Sequence, residues 1–133
     1  MTDSKNTATS FASLSLAASS LDNLTQLGYT QMTPIQAASL PLTLAGRDLI
    51  AQASTGSGKT AAFGIPLVEK LDAAQFDAQA MILCPTRELA DQVTQEIRRL
   101  ARAVGNIKVV TLCGGVALRG QTVSLEHGAH VVV

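Results

Sequence analysis

Apolar positions along the chain change period near residue 47. Before it, Leu21, Leu24 and Leu27 recur at three-residue spacing, the buried face of a short helix that Gly28 stops. Thr33-Pro34 reads as a cap followed by proline at the first helical position. The pattern predicts a helix over 34–45, kinked or broken at Pro41, whose ring removes a backbone donor, and ended at Gly46. After residue 47, short apolar runs alternate with longer amphipathic segments. Buried strands are expected at 48–53, 79–84, 108–113 and 130–133. Helices are expected at 59–71, disturbed at Pro66, at 87–104, and more weakly at 117–126. In the longest of these, Leu89, Val93, Ile97 and Leu100 make the apolar stripe.

Repeated strand–helix units with short connections predict an α/β fold, a parallel sheet with helices on both faces in three layers and right-handed crossovers. Residues 1–10 read as a flexible tail, 11–46 as a helical region, and 47–133 as the α/β part. The closing Val131-Val132-Val133 is central-strand sequence with no loop after it. The expectation is a piece of a longer protein whose sheet is incomplete at the C-terminus.

Composition narrows the class. With 47% hydrophobic residues the chain is core-forming, not disordered. Ten basic residues balance ten acidic ones, so a general electrostatic grip on nucleic acid is excluded and any such contact must be local. Aromatics at 3% leave almost no base-stacking platform. Cys84 and Cys113 lack metal-ligand spacing and read as buried reduced thiols. With no secretory signal pattern and no membrane-length apolar run, the expected location is the cytoplasm.

The chemistry concentrates in Ala53-Ser54-Thr55-Gly56-Ser57-Gly58-Lys59-Thr60, between an expected strand and an expected helix. Gly56 and Gly58 allow successive N–H groups to turn toward an anion. Lys59 reaches outer phosphates as a point charge, Thr60 offers its hydroxyl to magnesium, and the helix start lies beneath. Such a loop binds nucleotide phosphates but leaves the base open. Gln36 bears on the base, because a glutamine amide complements the donor and acceptor edge of adenine. Taken alone, it reads as an ordinary surface residue at a helix start.

Its neighbours change that reading. Gly28-Tyr29-Thr30-Gln31-Met32-Thr33-Pro34-Ile35-Gln36, then the phosphate loop, then Pro85-Thr86-Arg87-Glu88-Leu89-Ala90, then Gly114-Gly115, occur in that order. The series resembles the DEAD-box family of ATP-dependent RNA helicases over about residues 11–133. It matches that family's Q motif, motif I (where Ala53 is the usual first residue), motif Ia and glycine pair. The resemblance implies a RecA-like P-loop NTPase domain, the first of two, with ATP and Mg2+ as ligands and RNA as partner. It assigns adenine to Gln36 and Phe11, helped by Tyr29 and Thr33. Phosphates fall to Ser54, Thr55, Gly56, Ser57, Gly58, Lys59 and Thr60, and magnesium to Thr60. The RNA backbone falls to Pro85, Thr86, Arg87, Gly114 and Gly115. The wording at 83–93 and 112–115 is similar to bacterial members that act in ribosome assembly, which implies ribosomal RNA.

From the residues alone, Pro85-Thr86-Arg87-Glu88 reads as an ordinary strand-to-helix junction capped by Thr86. His127 and His130 have no motif partners and read as structural or solvated. The resemblance places the acid that serves magnesium and water, and a transition-state arginine, in an Asp-Glu-Ala-Asp motif and a second RecA-like domain. Neither occurs here, so the piece alone is expected to be inactive. Two rival readings stand: a P-loop ATPase or kinase not acting on nucleic acid, and a truncated product that binds nucleotide or RNA without turnover.

Overall fold

A computed structural model describes residues 9–133. Residues 1–8 of the expected tail lie outside the described residues. Thr9 and Ser10 belong to the fold: the Thr9 carbonyl accepts from Met32 N–H at 2.7 Å, and Ser10 bridges to Gln31. A 3-10 turn, Phe11–Ser13, follows.

The helices are α1 (Ala18–Gln26), α2 (Pro34–Leu44), α3 (Lys59–Glu69), α4 (Arg87–Ala101) and α5 (Leu118–Glu126). The strands are β1 (Ala80–Met81), β2 (Val109–Val110) and β3 (Val131–Val132). All pairing is parallel in the order β1-β3-β2, with Val131 opposite both Ala80 and Val109. The last strand in sequence is therefore the central one, and it is buried.

Two corrections concern the regular elements. Helices α2 and α3 run through Pro41 and Pro66 without a break, although each ring removes one internal hydrogen bond. The expected buried strand at 48–53 is not formed. Residues 47–54 carry no strand pairing, Ile50 is fully exposed, and Leu49 is 40% exposed. An apolar run becomes a central strand only when a neighbour accepts its N–H and C=O groups. None of the three strands pairs with this one.

The core lies on both sides of α4. One cluster joins Phe11, Leu24, Met32 and Leu40 to Ile65 and Val68 of α3 and Leu100 of α4. The other joins Ala90, Val93 and Ile97 of α4 to Val109, Val131 and Val133. Helices α3 and α4 approach closely because Gly64 has no side chain. A Cβ there would sit 2.8 Å from Leu100 Cδ1 and 2.9 Å from Ile97 Cδ1. Leu89, counted in the stripe, is 39% exposed, and Ala90 takes its inward place. Polar ties complete the frame. Asn23 Nδ2 donates to the carbonyls of Arg99 and Leu100 at the end of α4. Arg98, expected on a solvated face, donates through Nη2 to the Val109 carbonyl at 3.0 Å. His130 is fully buried, takes the Lys108 N–H on Nδ1, and lies 4.7 Å from the Phe76 ring.

Candidate functional site

The phosphate loop has the shape its glycines require. Gly56 and Gly58 have φ of 78° and 84°, in the left-handed region where a Cβ is strained. Gly58 is the N-cap of α3 and no side chain caps that end. The first N–H groups of the helix, which have no partner inside it, face the loop's concavity together with the positive end of the dipole. Lys59 is exposed and its Nζ donates to the Ala53 carbonyl at 2.6 Å, so the ammonium is folded back over the loop. Ser57 Oγ is buried without a partner. A buried orphan hydroxyl among glycine N–H groups suits an oxygen-rich anion.

Gln36 is joined to this loop. It is 1% exposed; its Oε1 accepts from Thr33 N–H at 3.0 Å and its Nε2 donates to the Gly58 carbonyl at 3.1 Å. The contact leaves no room for a side chain on residue 58, where a Cβ would lie 2.4 Å from Nε2. Thr33 Oγ1, also buried without a partner, lies against the same glycine. The amide proposed to read a base is turned onto the phosphate loop in this state. Phe11 is not on the open cleft either. It is 4% exposed and meets Tyr29 edge to face, with centroids 6.2 Å apart. Tyr29 in turn donates its hydroxyl to Glu96 of α4. Burial, and then the adjoining carboxylate, push its pKa well above the usual phenol range.

The other expected residues meet at the carboxyl ends of the parallel strands, where α/β sheets usually bind ligands. Pro85, Thr86 and Arg87 follow β1 and are exposed. Thr86 caps α4 by accepting from Leu89 N–H at 3.2 Å, the ordinary junction the residues alone suggested. Arg87 does more: its Nη1 donates to the Gly114 carbonyl at 3.2 Å. That bond brings two distant segments, the one after β1 and the one after β2, into a single surface. Gly115, with φ of 79°, lies under the guanidinium, and a Cβ there would be 2.2 Å from Nη1.

A trough of about 1180 Å³ runs from Thr55 and Lys59 of the loop between Ala51 and Ile82 toward Gln92 and Glu96 of α4. It connects the loop to the helix whose first turn carries Arg87. Among the described residues no group of three or more His, Cys, Asp or Glu side chains stands together as a metal site. Among the described residues no helix is long and apolar enough to cross a membrane. Sequence reasoning missed Glu96, the partner of Tyr29, and Gln121, whose amide holds the backbone of Cys113. No periodicity or motif marks either residue.

Comparison with known proteins gives the family. Residues 33–133 match the family model for the DEAD/DEAH box helicases. The chain is 56% identical over 126 residues to the ATP-dependent RNA helicase DbpA of Escherichia coli strain K12, covering 94% of this chain and 28% of that protein. It is 42% identical over 125 residues to the DEAD-box ATP-dependent RNA helicase CshA of Geobacillus kaustophilus, covering 94% of this chain and 27% of that one. The chain thus spans under a third of the length of these relatives. Among solved structures, a DEAD box protein from the hyperthermophile Methanococcus jannaschii superposes with a TM-score of 0.87 at 40% identity, over 94% of this chain and 34% of that chain. The RNA helicase Prp28 of Chaetomium thermophilum, bound to ADP, gives 0.77 at 42% identity, over 89% and 30%. With its phosphate loop at the start of α3 and its parallel sheet, the chain is part of a RecA-like domain and belongs to the DEAD/DEAH box helicase family.

Proposed function

We propose that this chain is the nucleotide-holding part of the first of two RecA-like domains in an ATP-dependent RNA helicase. Its RNA would be ribosomal, as the wording of residues 83–93 suggests. One observation carries the reading: Gln36 Nε2 donates to the Gly58 carbonyl, which joins an amide suited to adenine to a loop suited to phosphates. The loop's N–H groups and Lys59 hold the outer phosphates, displacing Lys59 from the Ala53 carbonyl. Ser57 gains a partner for its hydroxyl. Thr60 would hold magnesium together with phosphate oxygens, and the ion would supply charge neutralisation at the phosphates. For Gln36 to take adenine, its amide must release Thr33 or Gly58, so base recognition would be felt in the loop. Phe11 would have to leave the core edge to stack on the base. RNA phosphates would meet Arg87 and the Gly114-Gly115 turn. The acid that activates water and the arginine that stabilises charge would come from the rest of the protein, so this piece alone would bind without turnover.

In the full-length protein, ATP is expected to bind about tenfold more tightly than GTP, and Gln36→Ala should bring the two affinities together. Calorimetric titration with each nucleotide reads the ratio directly. Equal binding of ATP and GTP by the unaltered protein would remove adenine recognition from the proposal. For RNA, a few contacts from Arg87 and backbone N–H groups predict a shallow salt dependence. Log affinity should fall with log salt at a slope of roughly −1 to −2. A slope of about −5 or steeper would mean many ion pairs and would sink this choice of contacts.

A further inference from the structure

The Gly114-Gly115 turn is held from two sides. Arg87 takes the Gly114 carbonyl. From the other side comes Gln121 of α5, a half-buried residue that no motif marks. Its Oε1 accepts from Cys113 N–H at 2.9 Å, and its Nε2 donates to the carbonyls of Cys113 at 3.1 Å and Val116 at 3.4 Å. The carbonyls of Cys113, Gly114 and Val116 are thereby all occupied by side-chain donors. No hydrogen bond within the described residues claims the N–H of Gly114 or Gly115. A turn with most of its carbonyl oxygens covered and two consecutive N–H groups unclaimed presents donors to an anion.

Helix α5 buries none of its residues, so apolar packing contributes little to its position. Its other polar tie is Lys108 Nζ, which donates to the Ser124 carbonyl at 2.7 Å. The Gln121 amide is thus a principal link between the helix and the turn.

We propose that Gln121 is a positioning residue for RNA: by holding Cys113 and Val116 it fixes the Gly114-Gly115 turn in the shape that accepts a backbone phosphate. This rests on the RNA reading above.

The test compares the full-length protein with its Gln121→Met variant, which keeps length and volume and removes all three hydrogen bonds. A labelled single-stranded oligouridylate at low salt reports RNA affinity, and a fluorescent ATP analogue reports the phosphate loop. Hydrogen exchange at Cys113 reports the turn. The expected result is roughly tenfold weaker RNA binding, unchanged ATP binding and faster exchange at Cys113. Faster exchange with unchanged RNA affinity would overturn the proposal, because the turn would then need no positioning. Parallel loss of RNA and ATP binding would also overturn it, by showing a general structural role. If the unaltered full-length protein holds no RNA, the RNA reading itself fails and takes this inference with it; that outcome is seen before any substitution is made.

Discussion

Replacing Ile97 with alanine is expected to lower the unfolding free energy by about 3–4 kcal/mol. Ile97 is fully buried on α4 and belongs to the cluster with Val109 and Val131 of the sheet. Its Cδ1 also presses on α3 at Gly64. Removing three carbons would leave a hole between a helix and a sheet, and the cost depends on how far the walls can collapse. Gly64 has no side chain to move into the space, and β3 is held in register on both sides. The loss should therefore fall well above the lower end of the range for such changes. A domain of this size has only about 5–15 kcal/mol in total. Urea denaturation would show the midpoint falling with little change in slope, and Ile97→Val should cost about 1 kcal/mol. A loss under about 1 kcal/mol for the alanine variant would mean that α4 is not the centre of the core.

Lys59→Ala is expected to weaken ATP binding about hundredfold while leaving stability nearly unchanged. Lys59 is exposed and its bond to the Ala53 carbonyl is a surface contact, so the fold loses little without it. The bound phosphates would lose a charge-assisted hydrogen bond at the one place where the loop supplies a full positive charge. Lys59→Arg should recover only part of the affinity. The guanidinium is a planar fork on a different stem and does not place its charge where the compact ammonium does. Titration with ATP and magnesium, beside a thermal melt, separates the two effects. Unchanged affinity in the alanine variant would remove Lys59 from the phosphate site.

The phosphate loop was legible because its glycines need positive φ and its lysine follows at fixed spacing. The period of α4 correctly located Val93, Ile97 and Leu100. It misplaced Leu89, because the first turn is aimed by the Thr86 cap and Ala90 turns inward there. Apolar runs marked the strands: the regular pairs are two residues long in each, and the backbone hydrogen bonds between strands extend over 79–82, 108–112 and 130–133. At 48–53 the same signal failed outright, since hydrophobicity reports a wish for burial and not the neighbour that grants it. Arg98 looked like a solvated charge, yet its stem carries the guanidinium to a carbonyl on β2. The site residues named from motifs came together in two pairs, Gln36 with Gly58 and Arg87 with Gly114. Gln121 left no trace in the sequence, because one polar residue on a polar helix has no pattern to break.

The unpaired stretch at 47–54 has a thermodynamic consequence. It is the stem of the phosphate loop, and its backbone lacks the ladder of hydrogen bonds that would hold a strand in place. An anion site is strong when its donors are fixed before the ligand arrives; otherwise part of the binding energy goes into ordering them. Nucleotide binding to this piece, taken apart from the rest of the protein, should therefore be preorganised at the helix end of the loop and not at its stem. Its heat signature would be a favourable enthalpy opposed by an unfavourable entropy, as when a segment orders on its ligand.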